Sequence, residues 1–241
     1  FIAFKNGAQD LITAITEKLD GDLRLGTDVR RIQKVGAGYT VSTNFGEIQA
    51  DALILATPAN AAAQMLLSIN ADAADLLAKI RHENIGTLSL VYRAQDVSVP
   101  QRIHGMMVPR REGRKIDAVT FTSLKMPARA PEDHLVMRVF IGGGAPDIVE
   151  QEEAVLVEIV RAELADLLGI VAEPFETALF RWPKSFPQAD VGHLDLVADI
   201  QKKLLPGIFL AGSSYRGIGV PDCIRQGQDA ARDVMNHFAV V

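Results

Sequence analysis

The residues in this chain best suited to chemistry by type and spacing lie in "AGSSYRGIGVPDCI", residues 211–224. Gly212, Gly217 and Gly219 lead through Val220 and Pro221 into a helix-like run. A strand that delivers a glycine-rich loop to a helix N-terminus gathers unpaired backbone N–H groups at one point, and the helix dipole adds partial positive charge there. Such a point suits an anion, a carbonyl oxygen or the pyrimidine edge of a flavin, which gains negative charge on reduction. Gly217 and Gly219 would let a planar ring approach the backbone, because neither carries a Cβ. An ordinary turn before a surface helix has the same sequence, so the stretch alone leaves both readings open.

Other chemistries find less support. The five histidines are well separated, so no metal site is expected. The carboxylates lack the paired spacing of glycosidase acid–base catalysis. The single cysteine, Cys223, excludes an internal disulfide and a multi-thiolate centre, and reads as a packing residue. Arg216, between glycines, could meet a propionate or stand in solvent. His193 in "VGHLD" reads as a helix-entry residue making structural hydrogen bonds. No side chain is expected to act as a catalytic acid, base or nucleophile. The net charge is −5 and the basic residues are dispersed, which argues against nucleic-acid binding. No apolar run is long enough to span a bilayer.

The elements that must position these residues follow from periodicity. "NGAQDLITAITEKL" places Leu11, Ile12, Ile15 and Leu19 on one helical stripe. Several short strands follow, separated at Gly26, Gly36–Gly38 and Gly46. "DALILAT" is a continuous apolar run, the pattern of a strand buried on both faces, and 59–69 and 71–80 read as short helices. From Thr87 the pattern changes to four strand-like runs, "TLSLVYRA", "IHGMMVP", "KIDAVTFTS" and "HLVMRVFIGG", which predict an antiparallel sheet. A helix with Leu156, Ile159, Val160, Leu164, Leu167 and Leu168 on its stripe follows, then a strand at "ETALFRWPKS". "GIFLAG" reads as a last buried strand, and Pro221 suits the first turn of a last helix. One domain inserted into another produces this order, and one continuous α+β domain is the alternative.

"GIFLAGSSYRGIGVPDCIRQGQDAA" resembles the C-terminal flavin-binding segment of the oxygen-dependent protoporphyrinogen oxidases, within the flavin-containing amine oxidase superfamily. "FKNGAQDLITAITEKL", "TSLKMPARAPEDHLVMRVFIGGG" and "RWPKSFPQADVGHLD" resemble further segments of that family in the same order. The resemblance implies an α/β and α+β fold: a partial FAD-binding domain, 1–84 with 181–241, carrying an inserted antiparallel-sheet substrate domain, 85–180. It implies FAD contacts from Val29, Ala56, Thr57, Trp182, Gly212, Ser213, Ile218, Gly219 and Val220, with the backbone of Val29 reading the adenine. It implies substrate contacts from Met107, Thr120 and Phe140, where Thr120 replaces a larger apolar residue of some members.

The implied reaction is hydride transfer from a porphyrinogen to FAD, with oxygen as acceptor and peroxide as by-product. Coproporphyrinogen III oxidation, another amine oxidase or desaturase activity, and a silent porphyrin-binding module stay open as alternatives. The family's dinucleotide-binding G-x-G-x-x-G is absent from this sequence. The chain therefore reads as roughly the C-terminal half of such an enzyme, with little stable FAD binding expected of it alone. A cytoplasmic location with peripheral membrane contact is the family expectation.

Overall fold

The computed structural model describes residue 4 and residues 6–99 and 103–239. The chain divides into two compact units: Arg24–His82 with Pro187–Val241, and Phe1–Leu23 with Glu83–Phe186. The sequence boundaries placed residues 1–84 and 181–241 together; here the first 23 residues group with the second unit. One local tie is the Arg129 Nη2 donation to the Phe4 carbonyl at 2.9 Å.

In the unit built from 24–82 and 187–241, β1 (Val29–Val35), β2 (Gly38–Thr43) and β3 (Gly46–Ala50) form an antiparallel sheet. The turns between them fall at the glycine breaks. A separate parallel pair joins β4 (Leu53–Leu55) to β10 (Ile208–Leu210), with Leu55 opposite Leu210. The helices are α2 (Ala59–Leu66), α3 (Ala71–Ala78), α6 (His193–Lys203) and α7 (Val220–Ala239). Leu55 and Ile208 pack with Ala59, Leu66, Leu77, Val197 and Ile200 in one core. The other face of β4 is not covered: Ile54 is 42% exposed. Burial on both faces, expected from "DALILAT", is therefore corrected to burial on one for β4 among the described residues: α2, α3 and α6 pack on the Leu55 side, whereas on the Ile54 side α7 meets the neighbouring Phe209 of β10 through His237.

In the other unit, α1 (Gln9–Thr16) precedes a five-stranded sheet of order β6-β7-β8-β5-β9. Its strands are β5 (His82–Arg93), β6 (Gly105–Met107), β7 (Ala118–Phe121), β8 (His134–Ile141) and β9 (Glu176–Pro187). The pairs β6–β7, β7–β8 and β5–β8 are antiparallel. A single turn, α4 (Thr122–Lys125), ends β7, and α5 (Glu153–Leu168) crosses one face of the sheet.

Alternation in the strands sorts the sheet into two faces. Leu88, Leu90, Tyr92, Val119, Phe121, Met137, Val139 and Ile141 face a core shared with Leu156, Val160 and Leu164 of α5. Thr87, Ser89, Ala118, Thr120, Arg138 and Phe140 face the opposite way and are not fully buried. The α1 stripe is not packed: Ile12, Ile15 and Leu19 are half-exposed, and the helix ends before Leu19. No described helix is long and apolar enough to cross a membrane.

Candidate functional site

Two candidate sites emerge, one in each unit. The first lies at the carboxyl ends of β4 and β10, where ligands of open α/β sheets bind. Parallel pairing carries both chains out side by side, and the Ala211 N–H donates to the Leu55 carbonyl at 3.2 Å. Ala56 and Gly212 consequently meet: a Cβ on Gly212 would lie 3.8 Å from the Ala56 carbonyl oxygen. Gly212 has φ +123°, a conformation that favours glycine. Beyond it, Ser213 is part-buried, Ile218 and Val220 are more than half exposed, and Gly219 immediately precedes α7.

Three side chains, His193, Gln226 and Ser214, hold this loop in shape. His193, the first residue of α6, donates from Nε2 to the Tyr215 carbonyl at 2.8 Å, the structural role expected of it. Gln226 of α7, only 7% exposed, reaches back from Nε2 to the Gly217 carbonyl at 3.4 Å and accepts from the Arg216 N–H at 3.3 Å. Buried Ser214 accepts from the Ala59 N–H at 3.1 Å and pairs with His82 Nε2 at 3.0 Å. His82 Nδ1 lies 2.9 Å from the Ile80 carbonyl, so it carries the proton and Nε2 accepts from the Ser214 hydroxyl. Burial pushes the His82 pKa down, consistent with a neutral ring. The Ser214 hydroxyl thus ties the loop after β10 to the start of α2 and to His82, the first residue of β5.

The glycines near α7 also meet a local steric constraint. A Cβ on Gly217, at φ +128°, would lie 2.7 Å from Asp222 Oδ2, and one on Gly219 would lie 3.1 Å from the same oxygen. Both glycines therefore let the loop fold over the carboxylate of the first helical turn. Asp222 also places negative charge at the positive end of the helix dipole, and Arg225 offsets it from 2.6 Å. The bare dipole expected from sequence is already partly compensated. Arg216 is exposed and donates to Gln201 at 3.1 Å, and Cys223 is a free, part-buried thiol.

The remaining residues of the first set are dispersed. Thr57 follows Ala56, and its buried Oγ1 has no hydrogen-bond partner. Val29 opens β1 and pairs with Thr43 across a bulge in the three-stranded sheet, away from the parallel pair. Trp182 belongs to the other unit, on β9, half-exposed and stacked on Phe180 at 6.4 Å between centroids.

The second site is a groove of about 510 Å³ at one end of the open sheet face, with Met107, Ala118, Phe140 and Phe186 in its lining. Met107 pairs with Ala118, Ala118 with Phe140, and Phe140 with Thr87, making one row across four strands. Met107 is 82% exposed and Phe140 part-buried, so apolar surface is presented to solvent. Thr120 stands one row away, opposite Gly105 and Arg138, outside the groove lining. At the far end Arg110 bonds Glu83 at 3.1 Å. Asp117 fixes the adjoining glycine turn, accepting from Gly143 N–H at 2.8 Å and Gly144 N–H at 2.6 Å.

His82, Ser214, Gln226, Asp222 and Asp117 were not singled out from sequence. The one local signal among them is the four-residue spacing of Asp222 and Gln226, which places both on one side of α7. Among the described residues, no group of three His, Cys, Asp or Glu side chains is arranged to hold a metal ion.

A strand pair ending at a glycine loop and helix in one unit, and an antiparallel sheet with an apolar row on its open face in the other, define an α/β and α+β fold of the flavin amine oxidase type. A family model described as flavin containing amine oxidoreductase matches residues 1–235, and the chain belongs to that family. Coproporphyrinogen III oxidase of Bacillus subtilis is 29% identical over 244 residues, covering 99% of this chain and 52% of the relative. The chloroplastic protoporphyrinogen oxidase of Nicotiana tabacum is 25% identical over 250 residues, covering 96% and 46%. A crystal structure from Exiguobacterium sp. 255-15, provisionally named a protoporphyrinogen oxidase, superposes with a TM-score of 0.87 at 28% identity, covering 96% and 51%. The chain spans about half the length of the curated relatives it matches.

Proposed function

We propose that this chain supplies the flavin-ring contacts and the substrate-binding sheet of an FAD-dependent, oxygen-using porphyrinogen oxidase. In this reading residues 24–82 with 187–241 bind FAD and residues 83–186 bind the porphyrinogen. The observation that carries it is the meeting of Ala56 and Gly212 at the ends of the parallel pair, followed by a rigidly held loop with an exposed apolar edge.

The residues present fit the cofactor. Ala56, Ile218 and Val220 offer exposed apolar contact, and the unpartnered hydroxyl of Thr57 supplies a polar group beside them. Gly212, Ser213 and Gly219 would hold the ring through backbone groups, and Val29 would read the adenine. The chemistry a bound FAD supplies is two-electron oxidation of the substrate, with oxygen as terminal acceptor and hydrogen peroxide as by-product. This chain's own residues orient and enclose. His82, Ser214, His193 and Gln226 fix the loop; Phe140 and Met107 present an apolar surface for pyrrole rings, with Thr120 alongside. No side chain here is assigned a proton-transfer role.

Protoporphyrinogen IX is the substrate of the first reading. Coproporphyrinogen III is the second, favoured by the identities of 28–29% to three relatives named for it, against 24–26% to those named for protoporphyrinogen. The test is a substrate panel in air with the FAD-loaded protein: both porphyrinogens and a set of primary and secondary amines. Growth of porphyrin fluorescence with matching peroxide release supports the proposal, and the faster porphyrinogen names the substrate. Oxidation of amines with both porphyrinogens untouched overturns it.

A further inference from the structure

The open face of the five-stranded sheet carries two kinds of row. The apolar row is Thr87, Phe140, Ala118 and Met107. The next row along, about 7 Å away by strand geometry, is Ser89, Arg138, Thr120 and Gly105. Arg138 stands on β8, the middle strand of the five, so it sits at the centre of the face and not at its rim. Its side chain is exposed and has no hydrogen-bond or ion-pair partner among the described residues.

Its neighbours differ. Arg93, on the same face, pairs with Asp133 and lies over the Phe175 ring. Arg110, at the far end of the groove, is paired with Glu83. A flat ligand seated on the apolar row would draw Arg138 out of water. A guanidinium loses hydration favourably only if an anion replaces it, and a carboxylate matches its donor fork.

We propose that Arg138, flanked by the hydroxyls of Ser89 and Thr120, binds a carboxylate of the tetrapyrrole and orients its acidic edge away from Met107. This rests on the porphyrinogen reading above and adds to it an anion contact that fixes which edge of the macrocycle faces which end of the sheet. Neutral or cationic planar molecules would strand the Arg138 charge, so the same residue rejects them.

The test titrates the 241-residue chain with coproporphyrin III and with a tetracationic N-methylpyridyl porphyrin, following porphyrin fluorescence at low and high salt. The expected result is that Arg138→Gln weakens coproporphyrin about fivefold, the upper end for a solvent-accessible ion pair, and removes most of its salt dependence. Arg138→Lys should fall between the two, and the cationic porphyrin should bind Arg138→Gln as well as or better than wild type. Phe140→Ala should weaken coproporphyrin irrespective of salt. If Arg138→Gln binds coproporphyrin like wild type, or weakens both porphyrins equally, the carboxylate contact is overturned while the Phe140 result still supports the sheet as the porphyrin surface. If wild type binds no porphyrin, or Phe140→Ala changes nothing, the porphyrinogen reading falls and the Arg138 assignment with it.

Discussion

Ser214→Ala isolates the polar link beneath the loop between β10 and α7. Ser214 is 2% exposed and Ala59 is fully buried, so the Ala59 N–H cannot recruit water when its acceptor is removed. Leaving that donor unpaired costs about 1–3 kcal/mol. Loss of the hydroxyl donated to His82 Nε2 adds about 0.5–1.5 kcal/mol, toward the lower value because the ring is only part-buried. The expected destabilisation is therefore about 1.5–3.5 kcal/mol, which corresponds to roughly 12- to 300-fold faster amide exchange through the affected segment. Trp182 lies in the other unit, so its fluorescence does not report this change. Urea unfolding followed by far-ultraviolet circular dichroism, with hydrogen exchange read over residues 56–66, does. Ser213→Ala is the control: its hydroxyl has no hydrogen-bond partner among the described residues, and a change within about 0.5 kcal/mol is expected. A Ser214→Ala cost no larger than the Ser213→Ala cost would refute the reasoning.

Three further outcomes follow from the same geometry. Burial holds the His82 pKa below its ordinary 6.5, so the unfolded chain takes up a proton that the folded ring resists. This contribution to stability is full above about pH 6.5 and is lost as pH falls below it; His82→Gln should flatten the fall in urea midpoint between about pH 7.5 and about pH 5, and an unchanged slope would contradict the assignment. Asp117→Ala removes the acceptor of both Gly143 and Gly144 N–H groups and should cost about 2–3 kcal/mol, read by Trp182 fluorescence in that unit, with Asp117→Asn recovering part. Gly217→Ala places a Cβ against Asp222 at φ +128° and should cost about 1–3 kcal/mol; thermal unfolding midpoints equal to wild type would show that the loop relaxes freely.

Much of the architecture was legible because glycine and proline punctuate it. The run from "GIFLAG" through Pro221 reads as strand, loop and helix, and residues 207–239 follow that order. The α5 stripe is legible because three of its apolar residues, Leu156, Val160 and Leu164, pack fully against the sheet. Helix α6 was harder to read: only Val197 and Ile200 are buried among eleven residues, too few to impose a strong period. The same limit hid what holds the site. Ser214 and Ser213 are indistinguishable as letters, yet a partner 132 residues away separates them. Burial of β4 was overestimated because an apolar run states what a strand tolerates, whereas coverage depends on which elements pack beside it. At the second site, the alternation of β7 and β8 makes Ala118, Thr120, Arg138 and Phe140 recognisable as one face, but only cross-strand register shows that Thr120 belongs with Arg138 and Phe140 with Ala118.

The central claim is that the loop between β10 and α7, with the end of β4, forms the floor for the flavin ring. A crystal structure of the protein with FAD bound tests it most directly. The isoalloxazine is expected in van der Waals contact with the backbone of Ile218, Gly219 and Val220 and adjacent to Ala56, Thr57 and Gly212. A flavin bound with its ring elsewhere, and these residues facing solvent, would contradict it.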